Sequence, residues 1–154
     1  MDDLDRKTMR FLMQHGRGTW ADLGQLLGLS APAAAERARK LESEGTILGY
    51  TAIPNPERLG FPLTAFVAVS IADHRKRVKF LRLAEQHEQV TECHHVAGED
   101  DYLLKVRCRG TRDLDQFLSR TLKDGDLGIV RTRTTIVLAT TKETVRTPIS
   151  SSEE

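Results

Sequence analysis

The sequence predicts an α+β chain in two parts, an N-terminal winged helix-turn-helix followed by a ferredoxin-like βαββαβ domain. Three observations carry that prediction. From Thr19 the chain reads TWADLGQLLGLSAPAAAERAR, two short amphipathic segments hinged on a glycine. From Leu63 the apolar pattern alternates strand-like and helical runs in the order strand, helix, strand, strand, helix, strand. Between the halves, Pro54, Asn55-Pro56 and Gly60 interrupt any regular period.

In the first half, Asp2, Asp3 and Asp5 cluster at the head of a helix, where carboxylates favour the positive end of the dipole. Leu4, Thr8, Phe11 and Leu12 recur at helical spacing as its core face, widened by Met9 and Met13, and His15-Gly16 ends it. Leu23, Leu26 and Leu27 are the expected apolar stripe of a second helix. Gly28 stops that helix, because glycine takes the left-handed conformation without a Cβ clash. Leu29 is expected in the buried corner. Ser30 is placed to cap a third helix, with Pro32 in its first turn, where a missing N–H costs nothing. Helix, glycine turn and capped helix make a helix-turn-helix, and its second helix is the one that enters a DNA major groove.

A wheel drawn at about 100° per residue divides that third helix. Ala31, Ala34, Ala38 and Leu41 face inward; Pro32, Ala33, Glu36, Arg39 and Lys40 face outward, with Arg37 at the flank. The outer face has no Asn or Gln to read adenine, so modest direct readout is expected, with DNA shape contributing much of the specificity. Residues 1–50 carry seven Lys or Arg against seven Asp or Glu. One such module has little net attraction for phosphates, so tight binding needs several copies in one oligomer. The DNA-contacting set is therefore Trp20, Ser30, Pro32, Ala33, Glu36, Arg37, Arg39 and Lys40.

Ile47 to Ile53 alternates briefly and is expected as a strand or short hairpin, the wing or linker after the helix-turn-helix. In the second half the expected elements are a strand over Leu63–Ala72, a helix over His74–Gln89, strands over Val90–Ala97 and Tyr102–Arg109, a helix over Thr111–Leu122 and a strand over Ile129–Ala139. The turn Gly98-Glu99-Asp100-Asp101 joins the middle strands. A tight register pairs Ala97 with Tyr102, placing Cys93 opposite Val106 and Glu92 opposite Arg107 as an ion pair. Helices on one sheet face leave the other bare, to be covered by another subunit or a ligand.

Composition narrows the class. Of 154 residues, 39% are hydrophobic and 29% charged, with net charge +1, so a packed core is expected and charge alone does not select a partner. Two cysteines, Cys93 and Cys108, are too few for a disulfide scaffold. No apolar run is long enough to span a bilayer, and the start MDDLDRKTMR is not a signal peptide. A cytoplasmic protein is the default.

The motifs LDRKTMRFL, GRGTWADLGQLLGLS, ERARKLESEGTILGYTAIPNPERLG, ECHHVAGEDDYLLKV and GIVRTRTTIVLATTKE, in this order, make the chain resemble the Lrp/AsnC, or feast/famine, transcription regulators from about Leu4 to Glu143. The resemblance implies a C-terminal regulatory domain that dimerises through its sheet, often four dimers in a disc that wraps DNA. It also implies a small effector, commonly an amino acid, held between regulatory domains of adjacent dimers. The matching positions here are Gly98, Glu99, Asp100, Asp101, Tyr102, Thr132 and Thr134. Hydroxyls and turn N–H groups suit a carboxylate, and the acidic side chains suit an ammonium. On this reading 1–46 is the helix-turn-helix domain, 47–60 the wing and linker, 61–143 the effector-binding and oligomerisation domain, and 144–154 a disordered tail. Two departures stand out. Many members carry two prolines early in the recognition helix, where this chain has Ala31 and Pro32; and Ala139, Thr140 and Thr141 replace a stretch that is often acidic.

Rival readings are an enzyme and a stand-alone sensor. Cys93-His94-His95 suggests a metal, but neighbours on a strand point to opposite faces, so no metal site is expected. Sirohaem decarboxylases resemble the same family and act on a tetrapyrrole through pocket histidines. An amino-acid sensor without a DNA role fits poorly with an intact stretch from Trp20 to Arg39. The expectation is a regulator of double-stranded DNA without catalysis, cofactor or metal.

Overall fold

A computed structural model describes residues 1–123 and 125–150. The chain forms two compact units, Met1–Ile53 with the segment from Glu143 onward, and Pro54–Lys142.

In the first unit, α1 (Asp3–Gln14), α2 (Trp20–Leu27) and α3 (Ala31–Ser43) follow one another closely. The first two begin with reciprocal caps. The Asp5 N–H donates to Asp2 Oδ1 at 2.7 Å while Asp5 Oδ2 accepts from the Asp2 N–H at 2.8 Å, and Thr19 and Asp22 repeat the arrangement at 3.1 and 2.9 Å. Both satisfy N–H groups that a helix start leaves without partners. Gly28 ends α2 at φ 67°. Leu23, Leu27 and Ala34 form the core, with Leu4, Phe11 and Leu29 against it. Leu26 departs from the expected stripe and is 56% exposed. Gly24 takes the inward place instead. A Cβ there would lie 2.7 Å from the Leu29 carbonyl oxygen, so only glycine lets the turn fold back this closely. In α3, Ala35 is buried alongside Ala34, Ala38 and Leu41, while Ala31 is half-buried.

No strand forms over Ile47–Ile53, which corrects the expected wing. A strand needs a partner for its N–H and C=O groups. The Ile47 N–H goes back to the Leu41 carbonyl at 3.1 Å, Pro54 follows, and Leu48 and Ile53 are exposed. Tyr50 donates to Glu42 Oε1 at 2.8 Å, and partial burial beside that carboxylate pushes its phenol up to about 12.

The second unit contains β1 (Leu63–Ile71), a 3₁₀ turn (His74–Lys76), α4 (Arg77–Gln86), β2 (Val90–His95), β3 (Tyr102–Cys108), α5 (Thr111–Gln116), a π-helical extension (Phe117–Lys123) and β4 (Ile129–Ile136). The four strands form one antiparallel sheet in the order β2-β3-β1-β4. Ala65, Val67, Val69 and Ile71 of β1, with Tyr102, Leu104, Val106 and Cys108 of β3, line one face. Phe80 and Ala84 of α4, then Leu114, Phe117 and Leu122, pack over it. That alternation is the period of a sheet buried on one side. β4 stops at Ile136 rather than Ala139, because the Val137 N–H meets the Thr64 carbonyl and β1 has then run out.

The β2–β3 register also differs from the tight one expected. Tyr102 pairs with His95, Cys93 with Leu104 and Glu92 with Lys105. The connection is longer because the Val96 N–H bonds the Asp101 carbonyl, while the Asp101 N–H leaves the hairpin for the Val69 carbonyl of β1. Glu92 therefore meets Lys105 at 2.8 Å, and Arg107 donates to Thr64 Oγ1 at 2.6 Å. Cys93 is exposed; Cys108 is buried, and burial with Asp113 nearby pushes its thiol up to about 11. Residues 144–150 form no helix or strand, and 151–154 of the expected tail lie outside the described residues. Among the described residues no helix is long and apolar enough to cross a membrane.

Candidate DNA-reading helix and effector turn

The outward side of α3 presents Pro32, Ala33, Glu36, Arg39 and Lys40, all exposed. Ser30 serves the helix itself: its Oγ accepts from the Ala33 N–H at 3.4 Å. Arg39 rests on Glu36 at 2.5 Å and Lys40 on Glu44 at 3.7 Å, pairs one turn apart on a solvated surface. Such exposed pairs are worth little, so both cations can exchange a carboxylate for a phosphate or a guanine edge at small cost. Trp20, first residue of α2, is 41% exposed.

Arg37 has a different environment from its neighbours. Its guanidinium reaches Asp2 at 2.7 and 2.8 Å and Asp5 at 2.5 Å, and its side chain is 23% exposed. Arg37 in turn holds the Asp2 carboxyl below the usual carboxylate range. This clamp ties α3 to the head of α1. Sequence spacing carries no signal for a pair of 32 and 35 residues' separation. The Ser30 cap was legible in the sequence, whereas the reciprocal caps of Asp2 with Asp5 and Thr19 with Asp22 were not read from it.

In the second unit the turn between β2 and β3 folds over the end of β1. Asp101 Oδ2 accepts from the Ile71 N–H at 2.7 Å. Asp100, with its side chain 5% exposed, accepts from Ser70 Oγ at 2.9 Å, from Arg131 at 3.1 Å and from Arg133 at 2.7 Å. The Ser70 hydroxyl, with Arg133 and Arg131, holds its carboxyl below the usual range. Glu99 is the outward acid of the turn, with its side chain 77% exposed and only a 3.5 Å approach to Arg133. Gly98 is exposed beside it. Sequence reasoning missed Ser70, Arg131 and Arg133; alternate residues of β4 share a face, but nothing in the strand pattern shows which turn lies above them.

The remaining positions lie on the other side of the sheet. Thr132 and Thr134 pair with Val69 and Val67, whose side chains enter the helix-covered core, while Arg131 and Arg133 pair with Ser70 and Ala68. Within one chain, then, the arginines that meet the acidic turn and the two threonines share β4 but point to opposite faces. Tyr102 is buried under Phe80 and His95, with Arg77 5.5 Å from its ring centre. Its hydroxyl has no hydrogen-bond partner among the described residues. His94 faces Glu92 at 3.2 Å on the open sheet face, whereas His95 stacks on Tyr102 on the opposite one. Among the described residues no group of His, Cys, Asp or Glu is arranged to hold a metal ion.

A capped helix-turn-helix with a cationic outer face, linked to a βαββαβ domain, defines the class: a two-domain DNA-binding regulator. Comparison with known proteins gives the family. Residues 1–42 match the AsnC-type helix-turn-helix domain, and residues 64–147 the Lrp/AsnC ligand binding domain. The HTH-type transcriptional regulator LrpA of Mycobacterium tuberculosis is 41% identical over 140 residues, 91% of each chain. A transcriptional regulator of Neisseria meningitidis, solved as a complex with L-methionine, superposes with TM-score 0.91 at 29% identity, covering 96% of both chains. A feast or famine regulatory protein of M. tuberculosis complexed with L-methionine gives TM-score 0.86 at 38% identity, over 95% of this chain and 97% of that one. The chain belongs to the Lrp/AsnC family and is a DNA-binding transcription regulator. Its relatives bear the names of regulators rather than of enzymes.

Proposed function

We propose that this protein reads double-stranded DNA in a sequence-specific manner through the outer face of α3, and that a small effector, an amino acid, tunes that binding by shifting its assembly. The exposed Arg39 and Lys40, on a helix whose inner face is locked by Ala34, Ala38 and Leu41, are the observation that carries the reading. Ala33 and Pro32 let the start of the helix approach bases closely, Ser30 caps it, Arg37 holds it to α1, and Trp20 and Glu36 complete the DNA-contacting set. The equal count of cations and carboxylates in residues 1–50 argues for several modules on one DNA. The open sheet face supplies a surface for the dimer, with Phe66, Ala68 and Leu103 at its centre, and dimers assemble further to an octamer. The bound L-methionine in two similar structures supports an amino acid as the effector class. Gly98, Glu99, Asp101, Tyr102, Thr132 and Thr134 are the contacts we assign to it. Because Glu99 and the threonines lie on different faces in one chain, the cleft draws on more than one subunit. The site of action we assign is the cytoplasm.

The test is a DNA-binding titration on the segment upstream of the protein's own gene, against scrambled DNA, with and without a panel of amino acids. A saturable, salt-sensitive preference that one amino acid moves supports the reading. Equal weak binding to both DNAs, unmoved by every amino acid, would overturn it.

A further inference from the structure

The turn Gly98–Asp101 carries three carboxylates, and they are not equivalent. The carboxylate of Asp101 caps the end of β1 through the Ile71 N–H. That of Asp100 is buried, and two cations and a hydroxyl from two strands converge on it. Arg131 adds a second tie, donating to the Glu99 carbonyl oxygen at 3.0 Å. The turn is thus held to β4 at the Glu99 carbonyl and at the Asp100 side chain that follows it, while Glu99's own side chain points outward. A carboxylate accepting from two guanidinium groups and a hydroxyl has few acceptor positions left for a ligand's ammonium. Both arginines keep more than half of their side-chain surface exposed, so the burial is confined to the acid they share.

We propose that Asp100 is a positioning residue for the effector response: with Ser70, Arg131 and Arg133 it clasps the β2–β3 turn to β1 and β4, and so holds Glu99 where a ligand's ammonium meets it. This rests on the effector reading above and divides its residues into those that touch the ligand and one that does not. The clasp also joins the turn to the open sheet face, since Arg133 pairs with Ala68 at the centre of that face. Arg131 and Arg133 flank Thr132, so the clasp and both threonines share one strand.

The experiment uses the full-length protein and L-methionine, followed by the other amino acids, with the midpoint of the effector's action on DNA binding as readout. Effector-free DNA affinity and amide exchange at Asp101, whose N–H bonds the Val69 carbonyl, are measured alongside. Asp100→Asn is expected to shift the effector midpoint tenfold or more, to speed Asp101 exchange, and to leave effector-free DNA affinity within twofold. Paired Arg131→Gln and Arg133→Gln are expected to do the same. The triple variant should be no worse than either, since groups in one network do not add. Glu99→Gln should raise the midpoint as far with Asp101 exchange unchanged, which a purely structural role for the turn would not give. The proposal is overturned if Asp100→Asn keeps the wild-type midpoint, if the triple variant is fully additive, or if Glu99→Gln responds normally. A wild-type protein that answers to no amino acid overturns the effector reading itself, and the proposal with it.

Discussion

Arg37 shows how a residue's neighbours decide its role. On a helical wheel it flanks the outward surface of α3; in the fold it is the hub between α3 and the head of α1, held by Asp2 and Asp5. Arg37→Ala leaves Asp5 buried without its cation, and we expect a loss of about 1–2 kcal/mol, between an exposed and a fully buried pair. Urea unfolding measures it. The pH dependence has a definite sign. Asp2 titrates below its ordinary value because of Arg37, so the stability it contributes is complete above about pH 4 and is lost as pH falls through the lowered value. Arg37→Ala should therefore flatten the acid limb of a stability–pH curve. An unchanged limb would show that the clamp contributes nothing. The sequence holds all three residues, but a contact across more than thirty positions leaves no local periodicity to read.

At the scale of elements, the helix-turn-helix was legible because its signals are local. Gly28, Ser30 and Pro32 mark a stop and a start through backbone chemistry that acts within a few residues. Gly24 was not legible in that way, since its requirement comes from the carbonyl of Leu29 five residues on, in the folded turn. The two glycines should respond differently to substitution. Gly28→Ala strains a left-handed backbone alone, at about 1 kcal/mol, with DNA affinity nearly kept. Gly24→Ala forces a backbone oxygen aside at about 1–3 kcal/mol, prises the turn open, and should weaken DNA binding as well. Thermal unfolding together with a DNA titration separates them. Strand ends were less legible for a related reason. The expected wing over Ile47–Ile53 has an alternating pattern but finds no ladder, and the β2–β3 register turned on a main-chain bond from Asp101 to β1.

For the whole molecule, the order of strands and helices along the chain was legible from the change of hydrophobic period, and the sheet order β2-β3-β1-β4 was supplied by the fold. The proposed effector positions lie further from sequence reasoning, because Asp100 meets β4 across β1 and the threonines look the other way. The open face ties fold to assembly. Phe66 and Leu103 sit mid-sheet on it with no helix above among the described residues, a surface the proposed dimer would bury. Phe66→Glu is expected to shift sedimentation toward monomer and, with fewer modules per DNA, to weaken operator binding by tenfold or more. A variant that sediments as wild type would move the interface elsewhere.

The central claim, that α3 reads DNA through its outer face, is tested most directly by Arg39→Ala combined with Lys40→Ala. DNA affinity for the upstream segment is measured over a range of salt, with sedimentation as the control for assembly. We expect binding at least tenfold weaker, a salt slope lower by about 0.9 for each phosphate the variant no longer neutralises, and unchanged sedimentation. A double variant that binds the segment as tightly as wild type, with the same salt slope, would contradict the account.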